Sequence, residues 1–546
     1  MEHSFEKIIS EVEDAENNEG KEKNIKEDKD NFELTELTEY MMEIREITKK
    51  YNLILLTKPS GEDGRSYDQE FDIFYKKIEK FLDEKHSLSD EQYSDMCPGF
   101  TYPKIDELKL EELETARLDL ERITEDVENN CKSENVHKII DETIDSGKAK
   151  IDYLIKRKNN NLEEAFNNAK DFYGDANEDL CEKANAVYYE KIEFLKNRPE
   201  KDELEKKLES SEFDAQAIKT YFELALIKAG LKESGFVVIV SDGVSSITVR
   251  PEECKILIPI DRKVNGKKLL ELIAHEIGRH VATNFYNKKQ GFDSDLGKDW
   301  EIYSEGIAKI SETRIKKEVF GDSYSDFEFD FEIYYVLAIE KIKEGWNYAK
   351  VFHYIYNKVL AEKLLENKYG DLEEKDEELD KKLFEIKKKS KDEAKDISDK
   401  ICMRVFRGFD PKIGGFYLPK DKVYFEGKIK ALELEEMRLS KDKKETEQSR
   451  KIEKYLTMVK ADPSLIAHLI KMGAYSYGKG IEAARTVAKI IWKEKGWPTE
   501  LLENDDWYKE NTRFDLFMPY MSQFMDNYYE EEWHDLYDTK KENNNE

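Results

Sequence analysis

The sequence predicts an α+β fold that is predominantly helical, and three observations carry that prediction. Apolar residues recur at helical spacing over most of the 546-residue chain. Extended patterning is confined to one interval, residues 236–260. That small β-sheet is followed at once by an apolar helical stripe.

Residues 1–30 are acidic and poor in large apolar groups, so they bury too little surface to offset ordering entropy and are expected to form a disordered tail. Residues 31–95 form a predicted N-terminal helical region, with Leu34, Leu37, Met41, Ile44 and Ile47 on one stripe. The break Cys97-Pro98-Gly99-Phe100-Thr101-Tyr102-Pro103 opens the next region, 96–455, which reads as one catalytic domain. Helical patterning continues from Leu108 to Gly230, interrupted near Tyr173-Gly174-Asp175. Three strands are then predicted, at Phe236–Val240, Ser246–Val249 and Ile256–Ile260. Leu269, Leu270, Leu272, Ile273, Ile277, Val281 and Phe285 make the apolar stripe of the following helix. Charged runs near 373–400 and 433–454 read as solvated helical faces. The interval Gly408–Gly427 reads as an irregular loop or hairpin. Residues 456–546 form a predicted helical appendage, acidic and aromatic, with Trp507, Phe514, Phe517 and Tyr520 among its rings.

A net charge of −31 argues against a nucleic-acid or anionic-membrane binder, both of which need positive surface. The five cysteines are odd in number, scattered and never in C-x-x-C spacing, so neither a disulfide framework nor a thiolate zinc site is indicated. The N-terminal stretch has no basic leader or apolar core of a secretory signal, and no stretch reaches membrane-span length, so a cytoplasmic location is expected.

The chemistry centres on His275-Glu276-Ile277-Gly278-Arg279-His280. In the common H-E-x-x-H pattern two imidazoles four residues apart share one helix face, and the intervening glutamate activates a metal-bound water. Here the histidines are five residues apart. A regular α-helix turns about 500° over five residues, which leaves the two rings about 140° out of line. A wider π-type turn restores a common face, and Gly278 lowers the steric obstacle to it. A π-bulge is therefore predicted over Ile277–His280.

A catalytic zinc takes three protein ligands and leaves one position open. Downstream, Glu305 is followed by the small residues Gly306 and Ala308, which permit close helix packing, so it is the expected third ligand. Glu301, one turn away, is expected to orient a histidine from outside, or to replace Glu305 as ligand. The remaining histidines, His3, His86, His137, His353, His468 and His534, show no ligand spacing and read as ordinary surface or core residues.

At these residues the chain resembles the microtubule-associated tyrosine carboxypeptidase family and its bacterial relatives. The resemblance rests on the unusual motif His275 to His280 and on the later element Glu305-Gly306-Ile307-Ala308. Tyr173-Gly174, Arg404-Val405-Phe406-Arg407-Gly408 and the segment Lys420 to Gly427 look like further landmarks, so the resemblance spans about Pro98 to about Leu434. It implies a zincin-like metallopeptidase core holding one Zn²⁺ on His275, His280 and Glu305, with Glu276 as catalytic base. It also implies release of a C-terminal residue from a protein or peptide; the eukaryotic members remove tyrosine from tubulin tails. The negative net charge opposes docking of such an acidic tail except through a local basic groove. Arg279 stands where a smaller polar residue is expected, and should point outward or reach a substrate carboxylate.

A carboxypeptidase also needs a cation for the terminal carboxylate. Arg404, Arg407 and Lys420 are the candidates, with Tyr424 to donate to the developing oxyanion. Two other readings stand beside this one: a metalloendopeptidase, and a helical scaffold whose metal site is not catalytic.

Overall fold

The computed structural model describes residues 27–82, 88–197, 203–229, 231–244, 246–289, 296, 300–320, 331–368, 378–439 and 465. Most of the expected N-terminal tail and all but Leu465 of the expected C-terminal appendage lie outside the described residues. Described residues are predominantly helical, with small sheets. No helix among them is long and apolar enough to cross a membrane. All five cysteines are described and none is in a disulfide.

Two apolar cores organise the helices. The first is built on α1 (Glu27–Thr48), α3 (Leu110–Asn130), α4 (Glu134–Lys158) and α5 (Leu162–Tyr173), where Leu37, Leu120, Ile140 and Leu154 are buried. Two of its helices start on side-chain caps: Ser133 Oγ accepts from the Val136 amide at 3.3 Å to open α4, and Asn161 Oδ1 from the Glu164 amide at 3.3 Å to open α5. Gly174, at φ 71°, ends α5 at the expected break, in the left-handed half of φ space that favours glycine. The second core joins α2 (Tyr67–Leu82), α6 (Glu178–Asn197), α10 (Glu332–Lys343), α11 (Tyr348–Lys368) and α12 (Glu378–Val405), with Phe74, Tyr348, Phe352 and Phe406 packed together. Residues 406–425 contribute to both cores: Phe409, Leu418 and Val423 to the first, Phe406, Tyr417 and Phe425 to the second.

In the chain, the sheet falls between α6 and α10. Helix α7 (Ala215–Lys228), capped by Asp214, precedes β1 (Val237–Ser241), β2 (Thr248–Arg250) and β3 (Lys255–Pro259). Strand β3 is central, parallel to β1 and antiparallel to β2. Its continuous apolar run follows from that place, since Ile256, Leu257 and Ile258 are all buried. Two ladders of two residues each, Ser60–Gly61 with Phe100–Thr101 and Phe213–Asp214 with Lys263–Val264, were not anticipated.

Asn265 accepts from the Lys268 amide at 2.8 Å and starts α8. This helix is α-helical over Gly266–Leu272, π-helical over Ile273–Val281 and α-helical again over Ala282–Lys289. Helix α9 (Trp300–Phe320) packs on α8 and on α13 (Lys422–Leu439). The α9–α13 crossing is glycine on glycine: a Cβ at Gly306 would stand 2.1 Å from the Gly427 carbonyl oxygen, and one at Gly427 would stand 2.1 Å from that of Ile302. The expected loop Gly408–Gly427 is thus corrected in its last part. After a 3₁₀ turn at Pro419–Asp421 the chain is already helical from Lys422, because Val423 and Phe425 are claimed by the two cores and Gly427 by the crossing.

Candidate metal centre

The expected distortion of α8 is present and longer than anticipated. Over Ile273–Val281 the helix is π-helical, with hydrogen bonds that span five residues rather than four, so side chains five apart come to one face. His275 and His280 accordingly meet, with Nε2 atoms 3.0 Å apart and ring centroids 4.8 Å apart. The apolar side of the same segment, Ile273, Ala274, Ile277 and Val281, is buried and anchors it.

Helix α9 brings Glu305 to both rings. Its Oε2 is 3.5 Å from His275 Nε2 and its Oε1 3.6 Å from His280 Nε2. Oε2 is buried without a hydrogen-bond partner among the described residues. His275, Glu276 and His280 each place one ligand atom within 4.8 Å of the others.

On its far side His275 Nδ1 bonds Glu312 Oε1 at 2.7 Å. This is the place foreseen for Glu301, and the expectation is corrected. Glu301 forms an ion pair with Lys420 of the 3₁₀ turn before α13 instead. Glu301, Glu305 and Glu312 share one face of α9 at spacings of four and seven, so α8 and α13 each take the carboxylate at their own level. Sequence reasoning missed Glu312, although a carboxylate two turns beyond Glu305 was the signal available. Arg279 is corrected as well: it is buried, and its Nε donates to Ser311 Oγ of α9 at 3.1 Å.

Electrostatics at this cluster favour a positive charge between the carboxylates. Burial opposes the His275 imidazolium, but Glu305 and Glu312 outweigh it and raise its pKa to about 10. Burial likewise opposes the Glu305 carboxylate, yet His280 and His275 hold it at about 2. Glu276 behaves differently. Burial, reinforced by Glu305 and Glu312 and opposed by His275, lifts its carboxyl to about 7.

Beside the cluster stands a second group. The Arg404 guanidinium lies 5.1 Å from the Tyr335 ring centroid and 5.3 Å from that of Tyr424. Its Nη1 donates to Tyr335 Oη at 2.8 Å, its Nη2 to Tyr424 Oη at 3.3 Å and to the fully buried Asp421. The Lys420 ammonium is 5.7 Å from the Tyr424 ring. Arg407 is buried, with Nη2 facing Met403 Sδ at 3.6 Å, and its charge helps hold Asp421 ionised. The structure therefore brings Arg404, Lys420 and Tyr424 together, and sets Arg407 to supporting the acid that anchors Arg404. Of the other histidines, His137 and His353 are described; they bond the Cys131 carbonyl at 3.0 Å and Tyr93 Oη at 2.7 Å.

The chain matches no curated protein. No solved structure matches it either. A family profile described as "Microtubule-associated tyrosine carboxypeptidase" matches residues 90–364, just over half of the chain. The matched span contains α8 and α9 entire, with His275, Glu276, His280, Glu305 and Glu312. It stops short of Arg404, Lys420 and Tyr424, where the sequence resemblance was expected to run on to about Leu434. With the unusual histidine spacing and the π-helix that accommodates it inside that span, the chain belongs to the microtubule-associated tyrosine carboxypeptidase family.

Proposed function

We propose that the protein is a zinc carboxypeptidase with a zincin-like core, acting in the cytoplasm on the C-terminus of a protein or peptide. One observation carries this reading: the separations among His275 Nε2, His280 Nε2 and the Glu305 carboxylate are 3.0, 3.5 and 3.6 Å. Ligand atoms held at about 2.0–2.1 Å on one tetrahedral ion stand about 3.3 Å apart, and separations of this size, one to each Glu305 oxygen, support a shared zinc. Two imidazoles and a carboxylate are also a donor set that zinc accepts, and the unpartnered Glu305 Oε2 is the acceptor that a cation would satisfy.

Zinc, when bound, supplies Lewis-acid polarisation of the scissile carbonyl and lowers the pKa of water. The remaining work falls to side chains. Glu312, by accepting from Nδ1–H, keeps the His275 tautomer whose Nε2 lone pair faces the cluster. Glu276 takes a proton from the attacking water and passes it to the leaving amine. Arg404 is the favoured grip for the terminal carboxylate: its Nη2 is paired with Asp421, as the Lys420 ammonium is with Glu301, but its Nε–H has no hydrogen-bond partner among the described residues. Tyr424, near enough to Glu305 to feel its charge, is the proposed donor to the developing oxyanion. Tyrosine is the first terminal residue to try, because the matching family is described by it.

The test measures zinc per chain and single-residue release from matched peptides with a free or an amidated C-terminus. Expected are about one zinc, release from the free peptide alone, and a loss of about 10²–10⁴-fold in Glu276→Gln with zinc retained. Full activity in that variant refutes the base. Equal cleavage of the amidated peptide rejects exopeptidase action in favour of an endopeptidase, and zinc without turnover on any peptide favours a scaffold.

A further inference from the structure

Behind His275 the polar contacts do not stop at Glu312. Lys309, three residues earlier on α9, places its Nζ 3.3 Å from the Glu312 carboxylate. The same ammonium is 2.8 Å from Glu332 Oε1, on the first residue of α10. Glu312 and Glu332 are buried, and the Lys309 side chain is only 13% exposed. Among the described residues no hydrogen bond of good geometry reaches either oxygen of Glu332, so the ion pair with Lys309 is what compensates that buried charge.

Glu332 is not the only residue of its turn with a part in the site. Tyr335, one turn on, accepts from Arg404 and flanks its guanidinium. The first turn of α10 thus faces both the support of the metal-binding imidazole and the support of the candidate carboxylate-binding arginine.

We propose that Lys309 and Glu332 are positioning residues for the metal centre: the ammonium clamped between two buried carboxylates fixes Glu312, and through it the orientation of His275. This rests on the zinc reading given above and deepens it. The contacts described for the two residues run to Glu312 and to each other, so their effect is expected as metal affinity transmitted through the Glu312–His275 hydrogen bond. The physical reason is that Glu312 meets His275 through one oxygen and Lys309 through the other, so the carboxylate keeps its orientation toward the imidazole while that ammonium is held. Lys309 on its own would have several rotamers, and Glu332 removes that freedom by pulling its ammonium from the other side.

The experiment determines the zinc dissociation constant of the full chain by competition with a chelator, with circular dichroism reporting the folded state. Glu332→Gln preserves shape and removes charge, and is expected to weaken zinc about tenfold, with Lys309→Met falling in the same direction by about 10–100-fold. Lys309→Arg, which keeps the cation, should bind zinc nearly as the unsubstituted chain does. A role in stability alone would lower the melting temperature and leave the zinc affinity of the folded protein unmoved. If Lys309→Met fails to fold, the isosteric Glu332→Gln decides the matter. Unchanged affinity in Glu332→Gln, beside a loss in Glu312→Gln, overturns the proposal and leaves the zinc centre standing. A chain that binds no zinc in any form overturns the metal reading, and this proposal with it.

Discussion

At the scale of single residues, the site separates groups by what each imidazole nitrogen and each carboxylate is asked to do. His280 offers Nε2 to the cluster, so His280→Ala removes one of three donors, and zinc binding should be lost in a metal titration. Glu312 bonds His275 at Nδ1, the nitrogen facing away from the cluster. Glu312→Gln should therefore weaken zinc by about 10–100-fold rather than abolish it, as expected for a group one bond beyond the donors. The two glutamates flanking His275 are driven in opposite directions. Burial lifts Glu276, while the histidines hold Glu305 down at about 2. On the proposed reading the raised carboxyl is the base and the lowered one the zinc donor.

At the scale of elements, the decisive contact is the crossing of α9 and α13. Backbone meets backbone there, and no side chain can swing aside to admit a methyl group. Gly306→Ala should cost about 1–3 kcal/mol in chemical denaturation, the usual range for overpacking. It should also weaken zinc, because the neighbouring Glu305 moves with its helix. Gly243→Ala is the control: its added Cβ would meet only Ser241 Oγ, at 3.4 Å, and its effect should stay within about 0.5 kcal/mol. The crossing is locked further along by Arg314 of α9, whose Nε donates to Glu435 of α13 at 3.1 Å. Helix α8 contributes differently: its π-helical stretch sacrifices regular hydrogen bonding to bring His275 and His280 together.

At the scale of the whole described molecule, one buried acid couples stability to pH away from the metal centre. Asp399 of α12 accepts from Tyr67 of α2, and Tyr348 of α11 stands 3.5 Å away in the second core. Burial, with nearby Asp68 and Asp396, raises its carboxyl from 3.8 to about 7 despite those phenols. Between these values the native chain binds a proton that the unfolded chain has lost, so this acid's contribution to stability falls as pH rises from about 4 to about 7. Asp399→Asn removes the titration. The melting temperature of the variant relative to the unsubstituted chain should therefore increase with pH across that window; a flat difference would refute the assignment.

What the sequence determined is local. Helical periodicity placed α8 and α9, a short apolar run placed β3, and an awkward spacing of five between histidines called for a π-turn at one known place. Each of these is written in neighbours along the chain, where backbone geometry fixes the period. The tertiary structure alone decided which charge meets which. Glu312 reaches His275 and Glu301 reaches Lys420 because α9 is sandwiched between α8 and α13, and nothing local distinguishes two glutamates on one helical face. The start of α13 inside an expected loop, the burial of Arg279 and the pairing of Lys309 with Glu332 have the same cause. A charged side chain finds its partner across distances in sequence that no periodicity records.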